Sequence, residues 1–280
     1  MVWTGSLQLA YRSEALRGEP RTVVHDRHDG PLRVLASLYP EAQSVCHNVL
    51  VHPPGGLVGG DELDIEVTLG ADAHAVITTP GATRYYRSTG APATQRLRAT
   101  LAEGARLEWL PLETIAHSGC FGANLMRFEL APGAEMIGWD VLALGLPASD
   151  QAFERGRFTQ SVEMPGRWLE RGLIDAGDTR LLDSPLGWAG HRVMGTLWFA
   201  AGFALPAMRR EALLDAARTA TAGHALQRSA GTTAVHDGVI VLRVLAPRVE
   251  PAMALLTRVW SAWREAAWQL PACVPRVWRT

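Results

Sequence analysis

A recurring pattern of strand, glycine turn and strand constrains the fold of this chain more than any other feature. Four segments read as a strand-like run, a turn containing glycine and a second strand-like run, with turn glycines at Gly70, Gly104, Gly133 and Gly166. The glycines are 34, 29 and 33 residues apart, and a repeat of this length is typical of stacked units. The pattern predicts a mainly β fold of stacked sheets built from repeated strand-turn-strand units, arranged as a sandwich or a solenoid-like array.

The character of the sequence changes near residue 191. We predict a β-rich stacked-sheet region over residues 1–190 and a smaller C-terminal α+β portion over 191–280, packed on it as one structural unit. One helix is predicted to begin near Pro206 and to end at Gly223. A second helix is predicted from apolar residues that recur at helical spacing and should face the core: Leu256, Val259, Trp260, Trp263 and Ala267.

Composition and charge exclude several classes of protein. The 280 residues carry a net charge of −1, so no basic excess indicates binding to nucleic acid or to a lipid surface. No apolar run approaches the roughly 20 residues that a membrane span needs, and the N-terminus lacks the pattern of a signal peptide. Three widely spaced cysteines suggest reduced thiols rather than a disulfide framework. We therefore expect a cytoplasmic protein that binds neither membranes nor nucleic acid.

One carboxylate stands in an otherwise uncharged run. The stretch from Met136 to Leu146 contains Asp140 as its single charged residue. Read as a strand, both of its faces are apolar, which predicts burial on both sides. A buried carboxylate costs several kcal/mol unless it is paired, hydrogen-bonded or hydrated. Asp140 is therefore a candidate functional residue.

The segment HPPGGLVGGDEL, residues 52–63, is rich in glycine and proline. It is followed by no Gly-Lys-Ser/Thr, so it is not a phosphate-binding loop, and the chain contains neither G-x-S-x-G nor H-E-x-x-H. Asp61 in this segment either caps a turn or holds a carboxylate at a functional opening. The sequence thus offers no recognised catalytic motif.

Metal ligands are suggested only weakly by spacing. Cys46, His47 and His52 lie close together in sequence, but C-H-x4-H is not a standard zinc spacing. His117 and Cys120 form a second isolated pair, which can hold a soft metal only weakly. Structural roles compete with ligation at each of these positions. Glu170, in the run RWLERGLI, is predicted to face solvent from a strand, with Trp168 on its own side.

Several motifs taken together resemble the urease accessory protein UreD family, called UreH in some species. They are HPPGGLVGGDEL, TTPGATRYYRS, LEWLPLETI, GWDVLALG and VPRVWRT, in this order along nearly the whole chain. The resemblance implies a mainly β fold with two helices. It also implies a non-enzymatic scaffold that inserts nickel into urease.

The partners implied by the resemblance are urease apoprotein, a UreF-type accessory protein and, through it, a UreG-type GTPase. No cofactor is expected to be stably bound, and Ni²⁺ would only pass through. The family's channel positions carry over to Asp61, Thr83, Asp140 and Glu170. An alternative from another class is a metal-dependent hydrolase that uses Asp61, His52 and Asp140, although such an enzyme needs three convergent ligands and a base.

Overall fold

The computed structural model describes residues 3–279, which form two stacked sheets, with strands for 48% of residues and helices for 17%. This composition and the solenoid-like stacking confirm the predicted fold class. In spatial order, the first sheet in this part of the chain has seven strands: β14 (Trp168–Asp175), β13 (Gly156–Met164), β11 (Cys120–Leu130), β8 (Ala93–Leu101), β5 (Glu62–Leu69), β1 (Thr4–Leu16) and β2 (Glu19–Asp29).

The second sheet has ten strands within the same described residues. Its main order is β16 (Ala230–His236), β17 (Val239–Ala246), β15 (Val193–Ala201), β12 (Glu135–Leu144), β9 (Arg106–Leu110), β6 (His74–Thr78), β4 (Val45–Val51) and β3 (Arg33–Val34). Two short strands extend it beside β12, namely β10 (Thr114–Ala116) and β7 (Thr83–Tyr85).

The first three repeated units each cross from one sheet to the other. Four residues separate β5 from β6, β8 from β9, and β11 from β12. The two strands of a unit are therefore not paired with each other, and each pairs in parallel with the equivalent strand of the next unit. Gly104 and Gly133 have φ of +70° and +86° in these crossings, a conformation that glycine adopts without strain. The recurring turn glycines therefore mark successive coils of a solenoid.

The fourth unit differs from the prediction of uniform stacked units. β13 and β14 pair antiparallel within the seven-stranded sheet, from Met164 opposite Trp168 to Arg157 opposite Asp175. Three residues separate these strands, and Arg167 N donates to Met164 O at 3.0 Å to close the turn. This tight turn returns the chain to the same sheet, so the solenoid ends here in an ordinary hairpin.

The C-terminal strands extend the ten-stranded sheet instead of forming a separate small sheet. β15 pairs antiparallel with β12, and β17 with β15. The helices α2 (Ala207–Thr221) and α3 (Val249–Trp268) cover the outer face of this sheet, and the short helix α1 (Thr179–Asp183) precedes β15. Trp260 and Trp263 are fully buried, which confirms their predicted place in the core. The boundary at residue 191 stays a prediction.

Buried ion pairs attach the helices to the outer face of the ten-stranded sheet. Glu108 accepts a hydrogen bond from Trp260 Nε1 at 2.6 Å and lies 2.8 Å from His74 Nε2. Glu135 is bound by Arg209 and by Trp268 Nε1, the latter at 2.7 Å. The carboxylates on this face therefore have charged or indole partners.

No helix within residues 3–279 combines the length and apolar character that a membrane span requires.

Candidate functional site

Three polar side chains stand in register across the inner face of the seven-stranded sheet. Asn124 on β11 is the register partner of Gln95 on β8 and of Gln160 on β13. Their neighbours on the same face, such as Phe128 and Phe158, belong to the apolar core between the sheets. The Gln95 amide donates to Asn124 Oδ1 at 3.3 Å. A polar row therefore crosses the strands of an otherwise apolar surface.

A second polar row crosses the facing sheet. Asp140 on β12 is the register partner of Thr196 on β15, which is the partner of Arg243 on β17. Asp140 and Thr196 are both buried, and Leu142 on the same face of β12 belongs to the core between the sheets. β12 is buried along its whole length, which confirms the prediction from its sequence.

The two rows meet across the space between the sheets. The Gln160 side-chain amide donates to Asp140 Oδ2. Farther along, Arg243 donates from Nε to Glu170 Oε1 at 3.0 Å, and a second guanidinium nitrogen binds Oε2. These contacts join the rows into one feature, which we call the inter-sheet polar layer, formed by Gln95, Asn124, Asp140, Gln160, Glu170, Thr196 and Arg243.

Asp140 is the buried carboxylate of this layer, and its surroundings make it ionise at a higher pH than an exposed aspartate. Burial raises the pKa of Asp140 to about 6, and the charge of Glu170 adds to the increase. Hydrogen bonds from Gln160, Asn124 and the Val141 backbone oppose the shift without cancelling it. The hydrogen-bond partners of Asp140, namely the Gln160 and Asn124 side chains and the Val141 backbone, are all neutral groups.

Cavities lie at two ends of the layer. One, of about 180 Å³, is lined by Gln95 together with Thr83, His52 and the glycine-rich loop. The other, of about 520 Å³, is lined by Glu170 and Arg243. The polar row between them runs through Asn124, Gln160 and Asp140. Polar side chains of the layer therefore extend from one cavity toward the other.

Two indole groups add to the polarity of the space between the sheets. Trp109 Nε1 and Trp198 Nε1 are buried and have no hydrogen-bond acceptor among the described residues. Both side chains belong to the core between the sheets, and Trp109 lines the smaller cavity. Buried donors of this kind are normally satisfied by water.

The structure gives Asp61 a clear local role. Its Oδ1 accepts from the backbone N–H of Trp3 at 3.0 Å, and its Oδ2 accepts from Val58 N at 2.9 Å. Asp61 therefore caps the glycine-rich loop, whose residues Gly55 and Gly56 line the smaller cavity. Its charge also opposes the lowering of the His52 pKa, which burial causes. Asp61 lies beside the opening and shapes its wall.

The other predicted channel residues fall at the two openings. Thr83 lines the smaller cavity and Glu170 the larger one. Glu170 lies on the same side of β14 as Trp168 and is partly exposed, at 25%, while Leu169 and Leu173 on the other side are each 56% exposed. Thr83 and Glu170 therefore line the two cavities, Asp140 lies within the polar layer, and Asp61 caps the loop beside the smaller cavity.

Cys46, His47 and His52 do not form a common site. Cys46 faces the core between the sheets and lies 3.4 Å from Asn48 Oδ1. His47, the next residue on β4, faces the opposite side, where its Nε2 lies 2.7 Å from Glu41 Oε1. His52 lines the smaller cavity. Within residues 3–279, the group of three metal-ligating side chains that does converge is Glu41, His47 and Cys273. Asp61, His52 and Asp140 do not form such a group.

His117 and Cys120 have separate surroundings. His117 stacks on Tyr86, with ring centroids 4.9 Å apart. Cys120 is buried in the core between the sheets, and burial raises its thiol pKa to about 12. Cys120 is fully buried, so an ion from solvent does not reach its thiol. The pair therefore has a packing role in the described structure.

Sequence reasoning did not identify Gln95, Asn124, Gln160, Thr196 and Arg243. The available signal was a single polar residue at an inward position of an otherwise apolar alternating strand, repeated in successive units. In β13, for example, Phe158, Val162 and Met164 surround Gln160 on the inner face. One such residue has little meaning, but its recurrence at one register of stacked strands marks a polar row.

Comparison with known proteins gives a consistent result along the chain. A sequence model of the family described as UreD urease accessory protein matches residues 4–279. A protein of Leptothrix cholodnii named urease accessory protein UreD is 61% identical over 280 residues and covers 100% of both chains. Proteins of the same name from Paracidovorax citrulli and Methylibium petroleiphilum are 61% identical over 278 residues and 54% over 296 residues. They cover 99% and 100% of both chains, respectively.

Proposed function

Since the chain belongs to the UreD family of urease accessory proteins, we propose that it acts in the maturation of urease as a non-enzymatic scaffold. In this role it binds urease apoprotein and recruits a UreF-type protein, which in turn docks a UreG-type GTPase. It also conducts Ni²⁺ toward the nascent active site. The partner assignments rest on the family, whereas the nickel path has support in the geometry of this chain.

The observation that carries the nickel path is the position of Asp140. It is 3% exposed, lies on a strand buried on both faces, and stands between two cavities to which polar side chains extend. An apolar residue at this position would avoid the cost of burying a carboxylate. A negative charge at the midpoint of a polar connection supports transit of a cation.

The donor set of the layer supports passage rather than storage. Its side chains offer carboxylate, amide and hydroxyl oxygens, and the imidazole of His52 lines the smaller cavity outside the layer. Borderline ions such as Ni²⁺ bind nitrogen and sulfur ligands more tightly than such oxygen donors. A path built of oxygen donors therefore holds the ion weakly at each position and releases it to the next.

We propose distinct roles for the residues at the two openings. Thr83 and the loop capped by Asp61 form the wall of the smaller opening. Glu170 forms the larger opening, where its ion pair with Arg243 closes the layer. A passing cation would compete with Arg243 for Glu170, so the pair would open as the ion passes and close behind it.

The test compares variants of Asp140 in cells that co-express urease with its accessory proteins. Asp140→Asn keeps the size and removes the charge, and Asp140→Leu also removes the polarity. Both variants should co-purify with urease at the wild-type yield, while nickel per urease active site falls severalfold. The measurements are metal content and pull-down yield from the same preparation.

A packing variant on the same strand face is the matched control. Leu142→Ala weakens the core between the sheets and leaves the carboxylate in place. It should lower stability without a comparable loss of nickel at equal pull-down yield. Normal nickel loading with Asp140→Leu would exclude the path. A parallel loss of pull-down and nickel in both Asp140 variants would leave only the scaffold role.

A further inference from the structure

Three potential ligands from separate segments converge at the outer face of the ten-stranded sheet. Glu41 lies in the loop before β4, His47 lies on β4, and Cys273 lies in the tail that follows α3. A carboxylate oxygen, an imidazole nitrogen and the thiol sulfur all lie within 4.8 Å of one another. Cys273 is far from Glu41 and His47 in sequence, so its approach to them is a product of the fold.

A buried arginine positions two of the three segments. Arg264 is fully buried on α3 and donates from Nη2 to Glu41 Oε2 at 2.7 Å. Its Nη1 donates to the Pro271 carbonyl oxygen at 2.9 Å, two residues before Cys273. Arg264 therefore holds the carboxylate by one oxygen and leaves Oε1 directed at His47, 2.7 Å away. It is a positioning residue for both the loop and the tail.

The tail is also fixed beyond Cys273. Trp278 Nε1 donates to Thr78 Oγ1 at 2.8 Å, and the Trp278 ring packs 5.3 Å from that of Trp139. The thiol is thus carried by a segment anchored on both sides. The side chains of His47 and Glu41 are only 7% and 12% exposed, while Cys273 is partly exposed. An ion can therefore approach from the side of Cys273.

We propose that Glu41, His47 and Cys273 bind one divalent transition-metal ion of borderline softness, such as Zn²⁺, Ni²⁺ or Co²⁺. Nitrogen and sulfur ligands with one carboxylate suit such ions. On binding, the thiol loses its proton to solvent and the thiolate forms the metal–sulfur bond. Three protein ligands leave a coordination position for water or for a ligand from a partner.

The site requires a modest closure around the ion. Metal–ligand bonds of about 2.0–2.3 Å place tetrahedral ligand atoms roughly 3.5 Å apart. The His47–Glu41 contact would therefore open slightly, and any wider separation to the sulfur would shorten by rotation of the Cys273 side chain. Because Cys46 and His47 project from opposite faces of β4, this site is separate from the inter-sheet polar layer. It does not depend on the proposed nickel path.

The competing explanation is an ion-pair network that binds no metal, in which His47, Glu41 and Arg264 only stabilise the fold. The two explanations differ in their requirement for Cys273, which is not needed for the network. Cys273→Ser is therefore the informative variant. Because Cys273 is partly exposed in the tail, the variant should fold as the wild type does. Cys120→Ala removes a buried thiol elsewhere and is the matched control.

The experiment titrates the purified full-length chain with Co²⁺ and then with Zn²⁺ and Ni²⁺. We expect one Co²⁺ per chain and a thiolate-to-cobalt charge-transfer absorption that Zn²⁺ abolishes by displacement. Cys273→Ser should lose this absorption and bind at least tenfold more weakly, and His47→Gln should also bind at least tenfold more weakly. Cys120→Ala should behave as the wild type.

A pH series and a thermal series complete the test. Affinity should fall as pH falls, because a proton must leave the Cys273 thiol before the sulfur binds. Bound Zn²⁺ should raise the melting temperature of the wild type and leave that of Cys273→Ser unchanged. Absence of the charge-transfer absorption in the wild type, or its persistence in Cys273→Ser, would overturn the proposal.

Discussion

The two faces of the ten-stranded sheet bury carboxylates in different ways. On the outer face, Glu108 is fully buried and is bound by Trp260 Nε1, His74 and Arg264, the last at 3.4 Å. On the inner face, Asp140 is held by the neutral amides of Gln160 and Asn124. Removing one partner of a buried ion pair leaves the other uncompensated, whereas neutral partners can be desolvated at lower cost. Loss of a single partner should therefore cost more stability on the outer face than on the inner face.

The largest effect that this comparison predicts is for Glu108→Ala. The substitution leaves His74 and Trp260 without their acceptor and removes one of the two carboxylates beside Arg264. We expect a loss of about 3–5 kcal/mol in the free energy of unfolding. Urea denaturation followed by tryptophan fluorescence measures it.

The control for Glu108 is an exposed carboxylate that is also paired with arginine. Glu62 lies 3.5 Å from Arg96 at the surface of the seven-stranded sheet. Glu62→Ala should change stability by less than about 1 kcal/mol, because exposed ion pairs contribute little. If Glu108→Ala cost no more than this control, the outer network would not be a stabilising device and the contrast between the faces would fail.

The next effect concerns the pH dependence of stability at Asp140. Its pKa is about 6 in the folded chain and close to 3.8 when exposed, so the folded state binds the proton more tightly. The stability from this group is full below the unfolded pKa and is lost as pH rises through 6, by about 3 kcal/mol in total. About 1–2 kcal/mol of that loss falls between pH 5 and pH 8.

Asp140→Asn isolates this contribution because it keeps the shape and cannot ionise. The difference in unfolding free energy between the variant and the wild type should grow in favour of the variant by about 1–2 kcal/mol from pH 5 to pH 8. Chemical denaturation at several pH values measures it. A constant difference over this range would mean that Asp140 keeps one protonation state throughout. The contrast between the inner and outer faces would then fail.

The sequence predicts the fold well where the signal is local. The glycine period, the strand around Asp140 and the helices near Pro206 and Trp260 depend on neighbours in the chain, and the structure contains all of them. The opposite directions of Cys46 and His47 also follow from the alternation of side chains along a strand. These features need no knowledge of which strands are adjacent.

The candidate site was less predictable because its contacts join distant segments. Glu170 shares a strand face with Trp168, as predicted. Arg243, which forms an ion pair with Glu170, lies 73 positions away in the sequence. Leu169 and Leu173 made the opposite face look buried, although they are exposed. Likewise, the partners of Asp140 and the convergence of Cys273 on His47 depend on sheet order and on the returning tail. A single sequence carries no direct signal for such pairings.

The smallest effect on stability is expected for Glu170→Gln, and this variant also tests the role of the inner face. The Glu170–Arg243 pair is partly exposed, with side-chain exposures of 25% and 46%, so Glu170→Gln should cost less than about 1 kcal/mol. Because the charge of Glu170 raises the pKa of Asp140, removal of that charge should move the Asp140 transition to lower pH.

The same variant should lower the nickel content per urease active site at unchanged pull-down yield, since the carboxylate at the larger opening is lost. Glu129→Gln, at the exposed pair with Arg127 on the outer side of the seven-stranded sheet, is the matched control and should change neither quantity. An unshifted Asp140 transition in Glu170→Gln would show that the two carboxylates are electrostatically independent, and the layer would then not act as one connected path.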